Sequence, residues 1–84
     1  MKNKKNLINQ IIYRSTHRGT KEMDILLGTF VKENINKLND DELIKLDKIL
    51  NYEDEILYEI YFDKNNKKFI DNNKIIKMLK DFKL

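Results

Sequence analysis

Apolar residues recur at helical spacing along most of the chain. Leu7, Ile8, Ile11 and Ile12 fall at i, i+1, i+4 and i+5, one face of a first helix. Arg14, His17 and Arg18 put cations in its last turn, opposite the negative end of the helix dipole, and Gly19 follows as a stop. Thr20 opens a second helix with the stripe Met23, Leu26, Leu27, Phe30 and Val31. Ile25 lies off that stripe and faces either a partner or a second packing neighbour. Gly28, inside the helix, costs about 1 kcal/mol relative to alanine, which suggests a close approach by another helix.

Asn39 through Glu42 read as a helix start, with Asn39 capping and Glu42 returning the hydrogen bond three residues on. Leu43, Leu46, Ile49 and Leu50 form the third stripe. The pattern breaks at Asn51–Asp54 and resumes with Ile56, Leu57, Ile60 and Tyr61. Residues 63–68, DKNNKK, read as a polar loop turning at Asn65-Asn66. Asp71–Asn73 cap a last helix carrying Ile75, Ile76, Leu79 and Phe82. The pattern shows no internal repeat, strict β alternation or sustained heptad. It predicts an all-α fold, a compact antiparallel bundle of four or five short helices. Short links place sequence neighbours side by side.

The chain has 84 residues, so it is read as a single domain over 1–84, with residues 1–5 as a tail. It carries 17 basic and 14 acidic residues, a net charge of +3. The signs alternate, whereas a nucleic-acid binder more often gathers its basic residues on one stripe. Lysine outnumbers arginine 15 to 2 and alanine is absent, as in proteins from A/T-rich genomes. There is no cysteine, hence no disulfide, thiol chemistry or cysteine-held zinc. The one histidine, His17, makes no familiar metal site alone. No apolar run reaches the roughly 18–20 residues of a membrane span. The N-terminal residues lack the pattern of a signal or transit peptide, so the expected compartment is a bacterial cytoplasm rather than the mitochondrial matrix.

Catalytic patterns are scarce. Ser15 and His17 are two residues apart, so on a helix their side chains diverge. There is no P-loop and no dinucleotide glycine motif. Asp40, Asp41 and Glu42, and likewise Glu53, Asp54 and Glu55, sit at helix starts, where capping explains them better than a metal. Tyr61 reads as core, and Tyr58 as an exposed residue open to a partner.

The densest polar stretch is RGTKE, residues 18–22. Capping physics alone accounts for its shape: cations, a glycine stop, a threonine cap, then an acid in the next first turn. It does not account for Arg14, His17, Arg18, Glu22 and Asp24 sharing one corner. Arg14 and Arg18 are the only arginines and stand four apart on one face. In a lysine-rich chain, arginine at both positions suggests a need for a planar, bidentate donor.

The run YRSTHRGTKEMDILLGTFVKE (13–33), followed by LNDDELIKLDKIL (38–50), resembles the succinate dehydrogenase assembly factor 2 family. The family signature Arg-Gly-x-x-Glu is matched by Arg18, Gly19 and Glu22, and its continuation by Met23, Asp24, Leu26, Leu27 and Phe30. Tyr13, Arg14 and Ser15 match the approach to it. His17 stands where members often have arginine, and the usual tryptophan and proline near the end of the fourth helix are absent. The resemblance implies a five-helix bundle and an assembly chaperone without catalysis of its own. Such a protein binds the flavoprotein subunit of succinate dehydrogenase, or of fumarate reductase, and promotes its covalent attachment to FAD. The implied partner-binding residues are Arg14, His17, Arg18, Gly19, Glu22 and Asp24. Gly19 would admit the partner's backbone, and Glu22 would meet a basic group on the partner or hold Arg18. No metal and no stably bound cofactor are expected, because FAD belongs to the partner. The free protein is expected to be a monomer without nucleic-acid partners. A small basic nucleic-acid-binding module is the alternative reading, and an adaptor working through the Tyr58 and Ile25 faces is a third.

Overall fold

The computed structural model describes residues 4–62 and 74–83. The predicted 63–68 loop and the Asp71–Asn73 cap lie outside the described residues, as does the start of the predicted tail. Among the described residues there are five α-helices: α1 (Lys4–Thr16), α2 (Lys21–Asn34), α3 (Asp40–Leu50), α4 (Asp54–Phe62) and α5 (Lys74–Asp81). Lys4 and Lys5, read as tail, are the first residues of α1. A short 3₁₀ turn, Ile35–Lys37, tightens the exit from α2 and buries Ile35.

The predicted stripes form one core. Met23, Leu26, Leu27, Phe30 and Val31 of α2 meet Leu43, Leu46, Ile49 and Leu50 of α3, Leu57 and Ile60 of α4, and Ile75, Ile76 and Leu79 of α5. The Phe82 ring stands edge-on to Phe30 at a centroid distance of 5.3 Å, which pins the end of α5 against α2. Tyr61 is half-buried against the core, and its hydroxyl donates to the Phe82 carbonyl at 2.8 Å. The α1 stripe differs from expectation. Ile11 is buried, but Ile12 turns outward, and the inward position four residues after Ile11 goes to Ser15. Ser15 is tolerated there because its hydroxyl donates to the Ile12 carbonyl at 2.8 Å.

Capping chemistry sets two helix starts as predicted. Thr20 is extended (φ −130°, ψ 155°), and its hydroxyl accepts from the Met23 amide. Asn39 and Glu42 form a reciprocal box, each side chain accepting from the other's amide at 2.8 and 2.9 Å. The end of α1 is a correction. The helix stops at Thr16, and neither glycine has a positive φ. Gly19 is therefore not a left-handed stop. The last carbonyls are satisfied by side chains instead. Thr16 donates to Ile12 O at 2.9 Å, His17 Nδ1 lies 2.8 Å from Tyr13 O, and Arg18 donates to Arg14 O at 3.2 Å.

Gly28 does mark a close approach. A β-carbon there would sit 3.3 Å from the Thr16 methyl and 3.8 Å from the Ser15 carbonyl. Packing does not follow chain order throughout, because α3 packs chiefly on α1 and α5. Polar links explain the choice. Lys4 pairs with Asp40 at 3.4 Å, and Gln10 donates to both Asp47 oxygens at 3.0 Å. Lys74 of α5 pairs with Glu42 of α3 at 2.7 Å.

That last pair makes stability depend on pH. The Lys74 hydrogen bond, and then the Asn39 amide, hold the Glu42 carboxyl below its usual value of 4.5. The contribution is therefore complete above about 4.5 and is lost as pH falls through the lowered folded value. Glu42→Gln is expected to flatten this acid limb in urea melts between pH 3 and 5, and an unchanged limb would contradict the pairing. Phe30→Ala, at a fully buried aromatic, is expected to cost about 3–5 kcal/mol in the same assay.

Candidate functional site

The α1–α2 link and the α3–α4 turn meet at one corner, and Arg18 joins them. Its side chain is only 10% exposed. Nε donates to Asp54 Oδ1 at 2.8 Å, Nη1 to Leu50 O at 2.6 Å, and Nη2 to Tyr52 O at 2.8 Å. With the bond to Arg14 O, four of its five N–H groups are used. The acceptors fit the charge. Leu50 O belongs to the carbonyl end of α3, which favours a cation, and Asp54 opens α4, where a carboxylate is favoured. A lysine could not reach this fan of acceptors.

Asp54 has a second task. Its other oxygen accepts from the Gly19 amide at 2.7 Å. A β-carbon on Gly19 would stand 2.8 Å from that oxygen, closer than atoms of this kind approach. The carboxylate cannot swing aside without giving up Arg18. Gly19 is thus required for the approach of Asp54, not for a special φ.

Arg14 also turns inward. Its Nη1 donates to Asp47 Oδ1 at 3.3 Å and makes a short bond to Asn51 Oδ1. Asp24, in the first turn of α2, accepts from the Arg18 amide and ties the link down from the other side. Of the six predicted site residues, Arg14, Arg18 and Asp24 therefore spend their polar groups within the fold. His17, Gly19 and Glu22 are exposed. The His17 ring stacks on Tyr13 at 3.9 Å. Glu22 makes no hydrogen bond or ion pair among the described residues, so the acid that holds Arg18 is Asp54.

The sequence reading missed Asp54, Asp47 and Asn51 as partners of the two arginines. Asp54 was read only as helix-start charge. A search for carboxylates to match two lone arginines was the signal available. Beside the corner, an open groove runs between the start of α2 and α4, lined by Glu22, Met23, Asp54, Glu55, Tyr58 and Glu59. Among the described residues no group of histidines and carboxylates could hold a metal, and no helix is long and apolar enough to cross a membrane.

Residues 9–83 match the family described as "Flavinator of succinate dehydrogenase". The chain belongs to this family. Relatives named "Succinate dehydrogenase assembly factor 2, mitochondrial" agree with it. The Arabidopsis thaliana protein is 39% identical over 57 residues, 68% of this chain and 30% of its own length. That of Caenorhabditis briggsae is 39% identical over 59 residues, 70% of this chain and 48% of its own. That of Saccharomyces cerevisiae (strain YJM789) is 36% identical over 81 residues, 87% of this chain and 48% of its own. The chain thus spans about a third to a half of the length of these flavinator relatives. No solved structure gives a significant match.

Internal and exposed members of the signature should separate on mutation. Arg18→Ala is expected to cost about 3 kcal/mol in urea unfolding, since it removes the cation from Asp54 and the donors from three carbonyls. Arg18→Lys should recover only part of that. Glu22→Ala should stay within about 0.5 kcal/mol of the parent. A neutral Arg18→Ala would remove the internal role of this arginine.

Proposed function

We propose that the chain is an assembly chaperone for the flavoprotein subunit of succinate dehydrogenase, or of fumarate reductase, and promotes covalent attachment of FAD to it. The observation that carries this reading is the division of labour at the Arg18-Gly19-x-x-Glu22 corner. Arg18, with Asp54 and Asp24, holds the corner rigid, while Glu22 and His17 stand uncovered on it. A surface held in shape before contact loses less entropy on binding.

The proposed partner-binding set remains Arg14, His17, Arg18, Gly19, Glu22 and Asp24, now in two roles. Glu22 and His17 meet the flavoprotein directly, and Gly19 lies in the contact surface. Arg14, Arg18 and Asp24 position them. The attachment chemistry belongs to the partner. Among the described residues His17 faces no serine, cysteine or acid: its ring stacks on Tyr13, and its Nδ1 lies 2.8 Å from Tyr13 O and 3.1 Å from the Thr16 hydroxyl, which itself donates to Ile12 O. FAD is the partner's cofactor, and this chain is proposed to hold none stably. The groove beside the corner fits that view, because the carboxylates of Glu22, Glu55 and Glu59 would repel a dinucleotide's diphosphate. The same groove, and the internal use of both arginines, speak against the nucleic-acid alternative. We propose that the free protein is a monomer of a bacterial cytoplasm.

The test is covalent flavin fluorescence of the flavoprotein subunit in a host lacking its own factor. The parent chain should restore the signal. Glu22→Ala, with its helicity and melting temperature intact, should lower it by about tenfold or more, as expected for the loss of roughly 1.4 kcal/mol or more of interface energy. No restoration by the parent chain would overturn the reading.

A further inference from the structure

The groove beside the corner is acidic, against the net charge of the chain. Helix α4 reads DEILYEIYF, with three acidic residues and no basic one, in a protein of net charge +3. Asp54 is spent on Arg18 and Gly19. Glu22, Glu55 and Glu59 form no ion pair among the described residues. Between these carboxylates the apolar surface of the groove is the Tyr58 ring, with the buried Met23 beneath it as the floor. Tyr58 is 52% exposed, and Phe62, 55% exposed, lies against it at 4.4 Å. The two rings extend the groove as an aromatic ledge along α4.

This combination selects an occupant. Carboxylates that form no ion pair among the described residues, beside exposed ring faces, suit an arginine or lysine, which can pair with the acids and stack on the rings. The apolar surface between them suits an aliphatic or aromatic side chain carried on the same segment. A second copy of this chain fits poorly. A twofold contact through α4 would set Glu55 and Glu59 against their own counterparts. A phosphate-bearing ligand is repelled for the same reason.

We propose that this groove receives a cationic segment of the flavoprotein subunit, with one or more arginine or lysine side chains meeting Glu55, Glu59 and Tyr58. An apolar neighbour on that segment packs on the ledge of the Tyr58 and Phe62 rings. The inference rests on the flavoprotein reading above and adds a second contact, on α4, to the corner. Glu22 belongs to both, so the two surfaces are continuous.

The experiment measures binding of the full chain to purified apo-flavoprotein subunit over a range of salt concentrations. The parent chain should bind, more weakly as salt rises. No binding by the parent would overturn the flavoprotein reading and this inference with it. Glu55→Lys/Glu59→Lys, checked for unchanged helicity and melting, should weaken binding at least tenfold and flatten the salt dependence. Equal binding by this variant beside a binding parent would overturn the groove alone and leave the corner standing. A photo-crosslinker in place of Tyr58 gives a readout independent of the charge reversal. It should capture a flavoprotein peptide containing arginine or lysine. Capture of a second copy of this chain, or of an acidic flavoprotein segment, would overturn the proposal.

Discussion

The fold turns on one ion pair, Arg18 with Asp54. It joins two chain reversals that lie 36 residues apart. The guanidinium closes the carbonyl end of α3, while the carboxylate sits at the amide end of α4. Each charge therefore has both a partner and a favourable dipole, which offsets the desolvation of a part-buried pair. The second carboxylate oxygen takes the Gly19 amide, and the Arg18 amide in turn goes to Asp24. Among the described residues no buried side-chain nitrogen or oxygen lacks a partner. A fully satisfied polar network of this kind fixes one arrangement, because any shift leaves a group unpaired at a cost of about 1–3 kcal/mol.

This arrangement changes what the Arg-Gly-x-x-Glu signature means physically. Read along the chain, it is a row of polar groups offered to a partner. In the fold, its arginine faces inward, its glycine makes room for a carboxylate, and its glutamate alone has no side-chain partner among the described residues. Stability and recognition are thus assigned to different residues of one short motif. The glycine links them, since any side chain at position 19 would press on the carboxylate that holds Arg18. A change there acts on the surface through the interior.

Much of the fold was legible in the sequence because helices announce themselves locally. The stripes of α2 and α3 were read from spacing alone and are buried as read, as are Ile75, Ile76 and Leu79 of α5, whereas Phe82, read with them, lies just past the helix end and is half-buried against the core. The caps at Thr20 and Asn39 were legible for the same reason, since both ends of each hydrogen bond lie within three residues. The end of α1 was not. Its carbonyls are closed by the side chains of Thr16, His17 and Arg18, and a glycine nearby gave a simpler but wrong account. Ile12 was assigned to the buried face because it completes the i, i+1, i+4, i+5 spacing with Leu7, Ile8 and Ile11. The neighbouring position went to Ser15, whose hydroxyl finds a carbonyl within its own helix.

The sequence by itself determined the helices, most of their inward faces, the family signature and the singling out of two arginines in a lysine-rich chain. These are local properties, set by periodicity, capping and residue choice within a few positions. Only the tertiary structure decided where those arginines point, because their acceptors lie 32 to 37 residues away on α3 and α4. It also decided that Glu22, Glu55 and Glu59 share one groove. Charge in a sequence says how many carboxylates there are. Which of them remain uncompensated depends on which cations the fold has already brought against the others.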